Sequence, residues 1–164
     1  MAPENILGAP ALGARFTALL GEPGDPGWVG VDELFGPRLP DTLATVAAAR
    51  GARSDAVAAT LLFEQYCQRL VAPVLAALHP RPPQGPTREA AGDRDRVPDP
   101  RRAAVLVLIR DGALQQAAFR RTLAATDGAS SAVDVMRQLV MDNLEPVAAA
   151  VHRHGFAVAL AIAP

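Results

Sequence analysis

Residues 54–79, SDAVAATLLFEQYCQRLVAPVLAALH, carry a long apolar pattern at helical spacing. The apolar side chains recur at steps of three and four along one face, at Phe63, Cys67, Leu70, Val74 and Leu78. Ser54 is placed to cap the N-terminus, and Pro73 predicts a kink because the apolar pattern continues beyond it. We therefore expect a kinked and mostly buried central helix.

The polar residues of this helix are the first candidates for a binding site. Glu64 and Arg69 lie beside the apolar stripe, and Tyr66 needs a place for its hydroxyl group if the ring is buried. One interpretation is a structural pair between Glu64 and Arg69; the other is that the three side chains line a small-molecule pocket. Cys67 lies within the stripe, where a cysteine usually packs as a small hydrophobe.

Two further helices are predicted before residue 54. Residues 9–22, APALGARFTALLGE, have apolar residues at helical spacing and run into a loop rich in glycine and proline. Residues 39–51, LPDTLATVAAARG, begin with a proline and an aspartate and end with a glycine, which is typical helix punctuation. The VDELFG segment after Trp28 also predicts a brief helix with Val31, Leu34 and Phe35 on one side. Trp28 and this brief helix are expected to close the edge of the core.

The character of the sequence changes after the central helix. Residues 80–102, PRPPQGPTREAAGDRDRVPDPRR, offer almost nothing to bury and predict a long exposed loop, either a lid or an insertion, with a composition typical of disorder. Residues 105–109 then form an apolar, β-branched run, and Asp111 with Gly112 is a tight-turn signal. We expect a β-hairpin here, with Arg110 at its tip.

One long helix is predicted near the C-terminus. Ser130 or Ser131 would cap it, Pro146 would bend it and Gly155 would end it. The last nine residues, FAVALAIAP, fit either a buried strand or a helix. The predicted fold is therefore mainly α, an α+β helical domain with one small β-hairpin and the kinked central helix, and residues 1–164 form a single domain.

The composition narrows the classes of function. Hydrophobic residues make up 50% of the chain and the formal net charge is −1, so there is no basic field to attract nucleic acid or a membrane surface. A single cysteine excludes an intrachain disulfide and indicates a reduced, cytoplasmic setting. We also expect no export leader and no membrane anchor, because no apolar run approaches roughly 18 residues.

His152 and His154 are the candidate metal ligands. Two imidazoles separated by one residue reach the same ion only from an extended or irregular backbone, since on a helix they point about 200° apart. A histidine at a helix C-terminus also has a purely structural role as a cap. The alternatives are therefore a bound metal such as iron, or haem, held through these histidines or Cys67, and a solvated helix end.

Several motifs resemble the FhuF-like ferric-siderophore reductase family. The family has a tryptophan followed by a short D/E-L helix, an R-L-x-x-P-x-L-A helix and a late L-x-x-x-L-x-P-x-x-x-A helix. Similar segments here are GWVGVDELFG (27–36), RLVAPVLAAL (69–78) and VMRQLVMDNLEPVAAAVHRHG (135–155). LVLIRDG (106–112) resembles the apolar strand ending in an R-D pair of the related IucA/IucC siderophore synthetases.

The resemblance implies a function in iron or specialised metabolism. Its reductases carry a [2Fe-2S] cluster on a cysteine-rich tail, and one cysteine cannot hold that cluster within a single chain. The implied protein is a cluster-less FhuF-like domain that binds or acts on a siderophore-related small molecule, with Tyr66, Glu64, Arg69 and Arg110 as ligand contacts. The alternatives are a metal- or haem-dependent tailoring enzyme and a non-catalytic subunit, homodimeric or paired with another protein.

Overall fold

A computed structural model describes residues 6–24, 26–78, 96–98, 101, 105–120, 122–124 and 131–162. The strands, in chain order, are β1 Ile6–Gly8, β2 Thr17–Leu20, β3 Trp28–Gly30, β4 Arg96–Pro98, β5 Val105–Arg110, β6 Ala113–Phe119 and β7 Thr122–Ala124. The helices are α1 Val31–Leu34, α2 Leu39–Arg50, α3 Asp55–Leu78, α4 Ala132–Leu139 and α5 Glu145–Ile162. A π-helical turn, Val140–Leu144, joins α4 to α5.

A five-stranded mixed sheet forms one layer of the fold, in the order β1-β2-β6-β5-β3. Its neighbours are antiparallel except β2 and β6, which run parallel and pair only at Leu19 with Ala118 and Leu20 with Phe119. Strand β4, within the predicted loop 80–102, pairs with β7 in a separate two-stranded sheet. Apart from β4 and Arg101, that loop lies outside the described residues.

The expectation of a mainly α domain with one small β-hairpin is wrong, because three strands precede the helices. The predicted helix over residues 9–22 is instead two 3₁₀ turns followed by β2, and Trp28 begins β3. Leu12, counted on the predicted apolar face, is 64% exposed. The short strands are stabilised by pairing with distant β5 and β6, which local spacing does not reveal.

Helix α3 is the central helix and packs against the sheet. It continues through Pro73 without interruption, and its buried face includes Leu62, Tyr66, Leu70 and Val74. Gly8 of β1 lies against it, where any side chain would overlap the carbonyl oxygen of Phe16 and crowd the backbone of Pro73. This close approach brings the N-terminal segment onto the face of α3.

The predicted hairpin turn and the helix over residues 39–50 are confirmed. Asp111 and Gly112 both have positive φ, as a tight hairpin turn between β5 and β6 requires. A Cβ at Gly112 would lie 2.5 Å from the Cβ of Ala49 and 2.9 Å from the carbonyl oxygen of Thr45. The tip of the hairpin is therefore docked on α2.

The C-terminal helical region differs from a single bent helix. Ser131, one of the two predicted caps, caps α4, and it does so in a capping box with Asp134. Proline at position 146 has no backbone N–H, and the π-helical turn comes just before it, so the chain changes its hydrogen-bond register there. The prediction that Gly155 ends the helix is wrong, because α5 continues to Ile162. None of the described helices is long and apolar enough to cross a membrane.

Candidate functional site at the edge of strand β6

The outer edge of β6 is completed by two side chains of α3. Beyond the short pairing with β2, the N–H of Leu114 donates to Oε1 of Gln65 at 2.8 Å. The carbonyl oxygen of Leu114 accepts from Nε of Arg69 at 3.3 Å. Gln65 and Arg69 are one helical turn apart on the same side of α3, so they substitute for the missing neighbouring strand at this residue.

A β-bulge sets the position of Leu114. Leu108 pairs with Gln116 whereas Ile109 pairs with Leu114, which leaves Gln115 as an extra residue on β6. The bulge interrupts the ladder just before the hairpin turn, and the side chain of Leu114 remains buried in the core. Both main-chain groups of Leu114 are thus available to α3.

Arg69 has hydrogen-bonding capacity beyond this contact. Its Nη1 atom is buried and makes no hydrogen bond to any residue that the structure describes. Burial lowers the pKa of Arg69 from its ordinary value, and the positive charge of Arg15 acts in the same direction. Arg15 lies in the 3₁₀ turn Ala14–Phe16, which packs on α3.

No carboxylate forms an ion pair with Arg15 or Arg69 in the described part of the chain. The ion pairs found there join other residues, such as Arg38 with Glu33 and Arg120 with Glu22. Glu64, expected as a structural partner of Arg69, instead accepts a hydrogen bond from Nε2 of Gln68 at 3.0 Å and is exposed. The positive charge of Arg15 therefore acts on Arg69 while no carboxylate among the described residues compensates for either arginine.

The structure does not bring the four predicted ligand contacts together. Tyr66 is fully buried in the core, with its ring centroid 5.1 Å from that of Phe35. Arg110 is exposed at the end of β5, and strand alternation places it on the sheet face away from α3, since neighbouring Ile109 packs into the core. Arg69 is the member of the set that bonds to the edge of β6 and has a buried Nη1 without a hydrogen bond to any described residue.

The predicted metal ligands are also apart. His152 and His154 both lie within helix α5, the geometry in which imidazoles two residues apart diverge. Cys67 is half-buried, and burial raises the pKa of its thiol, which favours the neutral form. Among the described residues, no group of three or more His, Cys, Asp or Glu side chains could hold a metal ion. The [2Fe-2S] cluster does not fit this sequence, which has one cysteine.

Sequence reasoning missed two contributors to the site. Gln65 lies four residues before Arg69, so the sequence predicts that they share a face of the helix. It does not predict the strand edge that both side chains contact. Arg15 belongs to a segment predicted to be helical, and its approach to Arg69 depends on the packing of the 3₁₀ turn on α3. No local sequence pattern predicts the packing of this turn on α3.

A concave surface lies between the end of α3 and the α4 region. This groove has a volume of about 870 Å³ and is lined by Leu75, Leu78, Ala132, Val133, Met136, Arg137, Val140 and Met141. Arg137, its one charged residue, is paired with Asp134 at 3.1 Å. The groove therefore offers mainly apolar contact.

Comparison with other proteins gives no match. No protein-family model, no curated protein and no solved structure matches the chain. The resemblance to the FhuF-like family therefore rests on the motifs of the sequence alone.

Proposed function

We propose that this chain is a cluster-free domain of the FhuF-like kind that binds a small molecule connected with siderophore iron or specialised metabolism. The observation that supports the proposal is the position of Arg69. It is the arginine that matches the R-L-x-x-P-x-L-A motif of the resemblance, and it is also the residue with a buried Nη1 that has no partner among the described residues.

The cost of placing Arg69 here points to ligand binding. A half-buried guanidinium beside a second cation is unfavourable unless a negative group compensates for it, and the described protein residues supply none. The bond from Nε to Leu114 fixes the plane of the guanidinium before any ligand arrives, which lowers the entropy lost on binding. Of the ligand contacts expected from the sequence, the proposal retains Arg69 and leaves Tyr66 to the core.

A cytoplasmic location is part of the same proposal. A single free cysteine fits a protein of the reducing cytoplasm. A spectrum of the isolated protein tests the cluster-free part. Bands of haem or of an iron–sulfur cluster would contradict it, and a colourless, metal-free sample would agree with it.

A thermal-shift panel tests the binding function. Ferric and metal-free siderophores of the hydroxamate, catecholate and carboxylate classes are each added in excess to the purified chain. Binding to the native state raises the melting temperature, and we expect a rise of about 3 °C or more for at least one class at roughly ten times its Kd. The rise should persist in the Arg110→Gln variant and disappear in Arg69→Gln. A melting temperature unchanged across the whole panel would refute the proposal.

A further inference from the structure

We infer that Arg15 and Arg69 together form a binding site for an oxyanion group, a carboxylate or a phosphate, on the ligand of this domain. The inference deepens the proposed function, on whose site it rests, by naming the chemical group that the ligand must carry. It depends on the contacts of Arg69, on the approach of the Ala14–Phe16 turn to α3, and on the absence of a protein carboxylate at either arginine within the described residues.

The donors that remain on Arg69 have the geometry that oxyanions require. Nε is occupied by the carbonyl oxygen of Leu114, whereas Nη1 is free of described partners. A guanidinium presents its N–H groups in a planar fork that matches two oxygens of a carboxylate or phosphate. A neutral acceptor would satisfy one hydrogen bond but would leave the two positive charges uncompensated.

Arg15 gives the site its selectivity for charge. Arg15 is exposed and Arg69 is half-buried, so Arg15 is the more accessible of the two guanidinium groups. The positive charge of Arg15 disfavours the charged form of Arg69 while the site is empty. A bound oxyanion interacts favourably with both, and a cationic or neutral ligand does not.

Simple anions test the inference on the full chain. Sodium phosphate and sodium citrate are titrated to about 10 mM, each against sodium chloride at equal ionic strength, so that general salt effects are subtracted. The proteins are the wild type, Arg15→Gln, Arg69→Gln and the matched control Arg110→Gln, which removes one exposed arginine from the other face of the sheet. Isothermal titration calorimetry on the same four proteins gives the affinities.

We expect phosphate or citrate to raise the melting temperature of the wild type and of Arg110→Gln equally. The rise should be about 3 °C when the anion concentration is about ten times its Kd. Arg15→Gln and Arg69→Gln should lose at least ten-fold in affinity, and the stronger of the two anions identifies phosphate or carboxylate as the group. Equal stabilisation of all four proteins would be a salt effect and would overturn the inference. Because Arg15 is exposed, its variant remains informative if Arg69→Gln does not fold.

The two proposals fail in different ways. If a siderophore binds the wild type, Arg15→Gln and Arg69→Gln with equal affinity, the oxyanion site is wrong while the binding function stands. If phosphate or citrate binds through both arginines and no siderophore changes the melting temperature, the site is right and the siderophore function is wrong.

Discussion

The two halves of the outer edge of β6 meet the same requirement in different ways. At Ala118 and Phe119 the neighbouring strand β2 supplies the hydrogen bonds, and both residues are fully buried. At Leu114 the partners are the side chains of Gln65 and Arg69. Main-chain groups at a sheet edge must find partners in either case, but only the second solution uses groups with capacity left over.

The difference explains why a site arises at one half and not at the other. In a strand that completes a ladder, the N–H and C=O groups that face the neighbouring strand are all hydrogen-bonded to it. An arginine has five N–H donors, and one of them is enough to satisfy Leu114. A helix that replaces a strand by polar side chains therefore holds a cation at the sheet edge with a fixed orientation and unused donors.

The largest expected effect comes from the core beneath both halves. Tyr66 is fully buried against Phe35, so Tyr66→Ala should lower the free energy of unfolding by about 3–5 kcal/mol. Urea denaturation measures the loss, with exposed Glu64→Ala as a control that should stay within about 0.5 kcal/mol. A loss below about 1 kcal/mol would mean that the ring is not a core residue and would restore the interpretation of Tyr66 as a ligand contact.

Removing the hydrogen bond between the N–H of Leu114 and the uncharged side chain of Gln65, called here the Gln65 clamp, should have the next largest effect. Gln65→Leu keeps the size of the side chain but leaves the N–H of Leu114 without its acceptor, which should cost about 1–3 kcal/mol. Hydrogen exchange at the Leu114 amide should accelerate in the same variant. Gln68→Leu is the matched control, since Gln68 bonds to Glu64 on the exposed side of α3. Equal stabilities of the two variants would show that the clamp is not needed.

Local patterns predicted the parts of the fold that have local causes. The turn at Asp111 and Gly112 depends on two adjacent positive-φ residues, and the cap of α4 on Ser131 and Asp134. Strands β1, β2 and β3 have three or four residues each and exist because distant strands pair with them. A segment so short has no periodicity of its own, and the spacing of leucines in residues 9–22 favoured a helix instead.

The site was predictable to the same extent. Arg69 could be selected because a charged residue beside a buried helical stripe needs a partner. Its actual partner, the carbonyl oxygen of Leu114, is 45 positions away in sequence, and a bulge in β6 sets that position. Glu64 was the plausible local partner, but its side chain bonds to Gln68 on the exposed side. Nonlocal contacts decided which of the polar residues form a site.

Arg69→Met should separate stability from binding. The variant loses the bond to Leu114, but it also removes a half-buried charge and its repulsion with Arg15, so the free energy of unfolding should change by less than about 1 kcal/mol. The stabilisation by phosphate or citrate should be lost completely. A large loss of stability in buffers without these anions would instead make Arg69 a structural clamp equivalent to Gln65.

The smallest expected effect is a gain. Arg15→Gln removes a positive charge that acts unfavourably on Arg69, so the variant should melt slightly higher than the wild type at low ionic strength, by about 1 °C or less. Salt screens such exposed charges, and the difference should vanish near 1 M sodium chloride, where the Debye length is about 3 Å. Arg110→Gln is the control for the general effect of removing an arginine. If Arg15→Gln is more stable than the wild type and is no longer stabilised by anions, Arg15 lowers the stability of the free protein and is needed for anion binding. A destabilised variant would mean that Arg15 has a structural partner, and the two halves of the β6 edge would then differ only in how they are held together.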